Sequence, residues 1–398
     1  MTPSQPAIVL RRGDTGSAVD DVCDRLRLTG DLPDDPSGPD SRHPALYDDR
    51  VEQAVKSFQQ RRGLLVDGTV GPATYAVLDG ARWSLGDRVL SHIPGRFLEG
   101  DDVSSLQRRL GELGFHLGKV DGIFGPETER AVRAFQAGVG LADDGTVGPE
   151  TMKAFLGLRR SVSGGSATAL REREHLRHSG HSLTGRTIVI DPGHGGPDRG
   201  VHGSHGLVEA DLVLDIARRI EGRLSAHGVN VVFTRTEATE GGSEEQRAAF
   251  ANTCSADLVL SLHCDHSVHP AARGVAAFFY GAQAHGGWST IGEHFSDLVL
   301  REVVARTGLL DCRAHPRTWP LLRRTRMPAV RLDIGYLSHP DDAVLLSSSA
   351  TLDRIAEGVV VALQRTYLGE ADTAQTGVLG LDDLRRHLDA MRAAHTNR

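Results

Sequence analysis

The pattern of apolar and polar positions divides the chain in two. From residue 187 onward, short β-branched or continuously apolar runs alternate with stretches of helical period. TIVID (187–191), NVVFTR (230–235), DLVLSLHC (257–264), GVAAFFY (274–280) and residues 329–336 read as strands. Residues 209–227, 243–254, 289–307 and 351–367 read as helices with one apolar face. Alternation of this kind predicts an α/β domain over 187–368, a mostly parallel twisted sheet with helices on both faces. Segment 309–327, LLDCRAHPRTWPLLRRTRM, has neither period and reads as a connection before the last strand.

The first half is helical and repeats itself. Residues 51–78 align without a gap on residues 128–155, matching Phe58-Gln59 with Phe135-Gln136 and one DGTVGP with another. Two small all-α modules of three helices each follow, at 8–82 and 96–158. Gly-Pro pairs mark the helix starts. Copy one has Tyr47-Asp48-Asp49 where copy two has Phe124-Gly125-Pro126, so it lacks one of these signals. For individual residues of the shared turns, the packing role is the expected one, because Asp-Gly and Gly-Pro fix turns without any ligand. Residues 159–186 form a polar linker, with ATALRERE (167–174) as a helical segment inside it. The two modules, residues 1–158, are therefore expected to fold apart from the rest. The tail, 369–398, ends in a stripe of Leu381, Leu384, Leu388 and Met391, which offers a contact for the preceding domain or for a protein partner.

Composition narrows the class. With 398 residues, 39% hydrophobic and 24% charged, the chain is an ordinary globular protein of two to three domains. A net charge of −7 with no basic run excludes nucleic acid as the implied partner. No stretch is long and apolar enough to span a membrane. The first residues, MTPSQPAIVLRRGDTG, show no apolar core and no cleavage site, so a cytoplasmic location is expected, with the cell wall by an unrecognised export route as the alternative. Four unpaired cysteines agree with a reducing compartment.

The candidate chemistry sits at strand ends. TIVID runs into Pro192-Gly193, and His194 follows among Gly193, Gly195 and Gly196. Alone, this fits a glycine turn that happens to hold a histidine as well as it fits a site. Glu209 then opens a helix whose apolar stripe is Leu212, Val213, Ile216, Ile220 and Leu224, and it lies on that stripe. A carboxylate there is costly unless a cation or hydrogen bonds meet it. His263 ends the third strand as His194 ends the first. Two histidines and a glutamate so placed suit zinc with an open position for water. Cys264 is a neighbour of His263 and faces the other side of the strand, so it reads as a buried free thiol. His202, His205, His266 and His269 are not assigned to the metal. Arg323, Arg324 and Arg326 read as a solvated face or as a carboxylate or phosphate contact.

DPGHGGPDRG (191–200), Glu209, SLHCD (261–265) and PAVRLDIGYLSH (328–339), in that order, resemble the zinc-dependent N-acetylmuramoyl-L-alanine amidases. That family cuts peptidoglycan between the lactyl group of muramic acid and the first alanine. The resemblance implies Zn2+ held by His194, Glu209 and His263, and Asp333 at the position of the catalytic residue. The family has Glu there, and Asp is one methylene shorter. Arg331, two residues earlier on the same strand face, is placed to pair with Asp333. Asp265 stands where the family usually has Asn. The N-terminal copies resemble peptidoglycan-binding modules, which implies peptidoglycan or its precursors as partner, chiefly through copy two. A catalytically weak cytoplasmic regulator of peptidoglycan synthesis on the same fold is the alternative reading.

Overall fold

A computed structural model of the protein describes residues 9–33, 45–95, 97–115, 118–157, 182–282 and 287–367. The expected segment 167–174 and the tail stripe lie outside the described residues. Copy one is built from α1 (Ser17–Leu28), α2 (Asp49–Arg62) and α3 (Pro72–Ala81). Copy two has β1 (Leu98–Glu99), α4 (Asp101–Glu112), β2 (Ile123–Phe124), α5 (Pro126–Gly138) and α6 (Pro149–Gly157), with β1 and β2 antiparallel. Each module closes around its own core, with Phe58 in one and Phe135 in the other fully buried.

The repeated motif is a packing device. Gln59 Nε2 donates to Asp67 Oδ1 (2.8 Å) and Thr69 O (2.9 Å), while Gly68 N donates back to Gln59 Oε1. Gln136 repeats this with Asp144, Thr146 and Gly145 at nearly the same distances. Copy one replaces its missing Gly-Pro with a side-chain cap, Asp48 accepting from Val51 N.

The larger domain contains β3 (Thr187–Pro192), α7 (Glu209–Ala226), β4 (Asn230–Phe233), α8 (Glu244–Thr253), β5 (Leu258–Asp265) and β6 (Val275–Ala282). It continues with β7 (Gly287–Trp288), α9 (Thr290–Thr307), β8 (Asp311–Arg317), α10 (Pro320–Arg324), β9 (Ala329–Tyr336), α11 (Pro340–Leu346) and α12 (Ser349–Tyr367). The sheet order is β4-β3-β5-β9-β6-β7, with β8 against β6. β4, β3, β5 and β9 are parallel neighbours, and β6 turns antiparallel to β9. The sheet is thus mostly parallel, as the alternation predicts. Segment 309–327 corrects its reading as a bare connection, since it supplies β8 and α10. Among the described residues, no helix is long and apolar enough to cross a membrane.

The two sheet faces differ, and the difference places the site. One face carries Ile188, Ile190, Leu258, Leu260, Leu262, Val330, Leu332 and Ile334 into the main core under α7, α9 and α12. The other carries Val189, Val259 and Ala329 into a smaller core under α8 and α10. Side chains alternate along a strand. Two and four residues further on, the smaller-core face therefore presents Asp191, Ser261, His263, Arg331 and Asp333. The apolar layer gives way to polar groups at the carboxyl ends of β3, β5 and β9, where open α/β sheets bind ligands.

Candidate metal centre

The backbone at the end of β3 is arranged around His194. That residue adopts φ 59°, a left-handed conformation that side chains rarely hold and that clusters at functional sites. Gly195 packs too close to another loop for any side chain, since a Cβ there would meet Glu240 O at 2.0 Å. Arg235, 3% exposed, staples the region together. Its guanidinium donates to Pro192 O (2.9 Å), Gly193 O (2.8 Å) and Ala210 O (2.8 Å), joining the end of β3 to the start of α7.

His194, Glu209 and His263 converge, and their ligand atoms lie within 4.8 Å of one another. Glu209 is fully buried at the first residue of α7, where the helix N-terminus favours a carboxylate. Its Oε1 lies 3.1 Å from His194 Nε2 and 3.1 Å from His263 Nδ1, and accepts from Cys264 N at 2.9 Å. Its Oε2 accepts from Val201 N at 2.9 Å. Burial pushes the Glu209 carboxyl up, but the bonds from His194, His263 and Val201 outweigh it and hold the group well below the usual glutamate range. His263 is pushed down to about 3 by burial and then by the charge of Arg331, so its imidazole is neutral and keeps a lone pair for a ligand bond. For His194, burial lowers the value, but Glu209 and Asp198 outweigh it and hold it above the usual histidine.

The donor set fits zinc. Two imidazole nitrogens face one carboxylate oxygen, an arrangement that calls for a shared cation, and two imidazoles with one carboxylate are a ligand set that suits zinc. His263 Nε2 is buried and has no hydrogen-bond partner. Asp198 was not read from the sequence. Its Oδ2 lies 2.8 Å from His194 Nδ1, which leaves Nε2 for the centre. The signal was present as a carboxylate four residues after a histidine in a glycine turn. Cys264 packs in the main core on the opposite face as a buried free thiol.

The fit is tight enough to be tested by one methyl group. A Cβ on Gly193 would lie 2.1 Å from His263 Cε1. Gly193→Ala is therefore expected to push the His263 ring aside at a cost of about 1–3 kcal/mol, read as a lowered Tm.

Asp333 is placed differently from the other three. It is 5% exposed and sits beside His263 in the register of β5 and β9. Arg331 holds it in a fork, Nε donating to Oδ1 at 2.6 Å and Nη2 to Oδ2 at 3.1 Å. Burial pushes the Asp333 carboxyl up against the pull of that guanidinium. The cleft of about 460 Å³ over the centre is lined by His194, His263, Glu244, Arg247 and Arg331 among others, and Asp333 is not on its wall. The sequence pairing of Arg331 with Asp333 is thus observed, and of the two it is Arg331 that lines the cleft. The Arg331 guanidinium also lies over the ring of Trp319, 4.8 Å from Cζ to the ring centroid.

Residues 188–365 match a family model described as N-acetylmuramoyl-L-alanine amidase. Residues 15–78 and 99–155 match one described as putative peptidoglycan binding domain. The chain is 47% identical over 386 residues to the protein of Mycobacterium tuberculosis named N-acetylmuramoyl-L-alanine amidase CwlM, covering 95% of this chain and 94% of that one. It is 29% identical over 203 residues to the germination-specific N-acetylmuramoyl-L-alanine amidase of Bacillus subtilis, covering 48% of this chain and 83% of that protein. Among solved structures, an N-acetylmuramoyl-L-alanine amidase from Clostridium difficile 630 aligns with TM-score 0.43 and 28% identity, over 46% of this chain and 97% of that one.

Proposed function

The chain belongs to the N-acetylmuramoyl-L-alanine amidase family, and from that premise we propose that it hydrolyses the amide between muramic acid and L-alanine in peptidoglycan, with Zn2+ held by His194, Glu209 and His263. The observation that carries the reading is the convergence of two ring nitrogens on one buried carboxylate oxygen, 3.1 Å from each. Zinc bound there supplies Lewis-acid polarisation of the amide carbonyl and a water of lowered pKa.

The chain's own residues do the rest. Asp198 keeps the Nδ1 proton of His194 in place, and the hydrogen bonds to Glu209 fix its carboxylate. Asp333 would take a proton from the attacking water and return it to the alanine nitrogen, so that the C–N bond breaks with a neutral amine leaving and the lactyl carbonyl becomes a carboxyl group. For that step the Asp333 carboxylate must leave the fork of Arg331. Turnover by the native chain is accordingly slow. The fork also favours a second reading, a peptidoglycan-recognising protein of the same fold with little hydrolysis.

The test is metal content and product together. The native protein is expected to carry one zinc per chain, and His194→Ala with His263→Ala to carry none, measured by elemental analysis of the purified proteins. Native protein should release free alanine amino termini from muropeptides, and the double variant should not. Unchanged zinc in the double variant would show that the ligands are misassigned.

A further inference from the structure

The polar linker suggests modules that swing freely on a tether, yet the surface between module two and the larger domain is built like an interior. Lys119, in the turn before β2, is 8% exposed and points into the larger domain. Its ammonium donates to three backbone carbonyls there, Leu322 (3.2 Å), Thr325 and Met327 (3.0 Å), and lies over the ring of Tyr280. A buried ammonium costs several kcal/mol unless its protons are met, and this cup of carbonyls at the end of α10 meets them. Tyr280, 2% exposed, donates its hydroxyl to Val120 O at 2.7 Å. Without module two, both the cup and that hydroxyl lose their partners.

Charge and backbone contact extend the match. Glu99 faces Arg323 (3.0 Å) and Arg324, and Glu127 faces Arg326 at 3.0 Å. The arginine cluster is therefore paired across the seam, with Arg323 and Arg324 half-buried against Glu99 and the more exposed Arg326 against Glu127. A Cβ on Gly287 would lie 2.4 Å from Val120 O, so the chains approach there at a distance only glycine permits. Module one adds to the same seam. Arg62 makes a bidentate pair with Asp101 (3.0 and 2.9 Å), and Thr318 N donates to Gly63 O at 3.1 Å.

We propose that α10, the turn to Met327, and Tyr280 and Gly287 of β6 and β7 form a dedicated docking surface for module two of the same chain, and that this contact holds in solution without the linker. Docked so, the modules carry whatever polymer they bind in one fixed frame with the metal centre, whereas a tethered module would sample many.

The experiment cuts the tether. A site-specific protease sequence inserted after residue 165 of the full chain is cleaved, and the products are run by size exclusion and native mass spectrometry. The two fragments of the native sequence are expected to stay together as a 1:1 complex of the intact mass. Lys119→Glu is expected to weaken that complex at least tenfold. Because Lys119→Glu risks misfolding, Glu99→Arg provides the second test: it should separate the fragments, and Glu99→Arg with Arg324→Glu should rejoin them. Separation of the native fragments on cleavage overturns the proposal. So does an uncleaved native chain that elutes as a dimer and becomes monomeric with Glu99→Arg, since module two would then dock on a second copy.

Discussion

The double variant Arg331→Leu, Asp333→Glu is expected to release alanine termini from muropeptides on the order of a hundredfold faster than the native chain. Two separate faults stand between the native carboxylate and a water in the cleft. The first is reach, since Asp333 is one methylene short and off the cleft wall, and a misplacement of about 1 Å costs on the order of a hundredfold. The second is the fork, since both oxygens of Asp333 already accept from Arg331. Asp333→Glu alone lengthens the side chain but leaves the guanidinium to capture it, so a rise of less than about tenfold is expected. Arg331→Leu alone strips a buried carboxylate of its counter-charge, which favours the neutral acid and gives no base. With both changes, the longer carboxylate is expected to reach past the leucine to the polar-lined cleft and stay ionised there. Zinc content of all four proteins must match for the rates to be compared. Equal rates for native and double variant at equal zinc would show that the limit lies elsewhere.

The legible part of the site was legible for local reasons. His194 and His263 end buried strands, and Glu209 continues an apolar helix stripe, so each announces itself within its own segment. The Arg331–Asp333 pair follows from the two-residue period of a strand. Segment 309–327 was not legible because what orders it comes from elsewhere in the chain. α10 is five residues long, and its carbonyls are met by Lys119, some two hundred residues earlier. α11 is short in the same way, held by buried Asp342, which accepts from Gly274 N and Tyr336 N. Two buried arginines were not legible either. Arg235 and Arg247 are both buried, one among carbonyls and one against Asp191, and nothing in their neighbours along the chain marks them.

Asp191→Ala is expected to destabilise the larger domain by about 3–5 kcal/mol, because it leaves the buried charge of Arg247 without its partner. Asp191 is fully buried at the end of β3. It accepts from Thr234 Oγ1 at 2.6 Å and from Ser261 Oγ at 2.6 Å, and it pairs with the buried Arg247. It therefore ties β3 to the residue after β4, to β5 and to α8 at once. Alanine removes the carboxylate and leaves two hydroxyls and a guanidinium without it. A loss of this size is a large share of the about 5–15 kcal/mol that holds a domain folded. At roughly 2–4 °C per kcal/mol for a domain of this size, Tm should fall by on the order of 10 °C. The effect of pH separates the charge from the shape. Burial raises the Asp191 carboxyl, but Arg247 and the two hydroxyls outweigh it, so the folded value lies below the ordinary one. Its contribution is then fully present above the unfolded value of about 4 and is lost as pH falls through the folded value. Asp191→Asn keeps the volume and part of the hydrogen bonding but has no charge to lose. The gap in Tm between native and Asp191→Asn should therefore be widest near pH 7 and shrink below about pH 4. A gap that stays constant from neutral to acid pH would show that Asp191 holds the strands together by its hydrogen bonds alone.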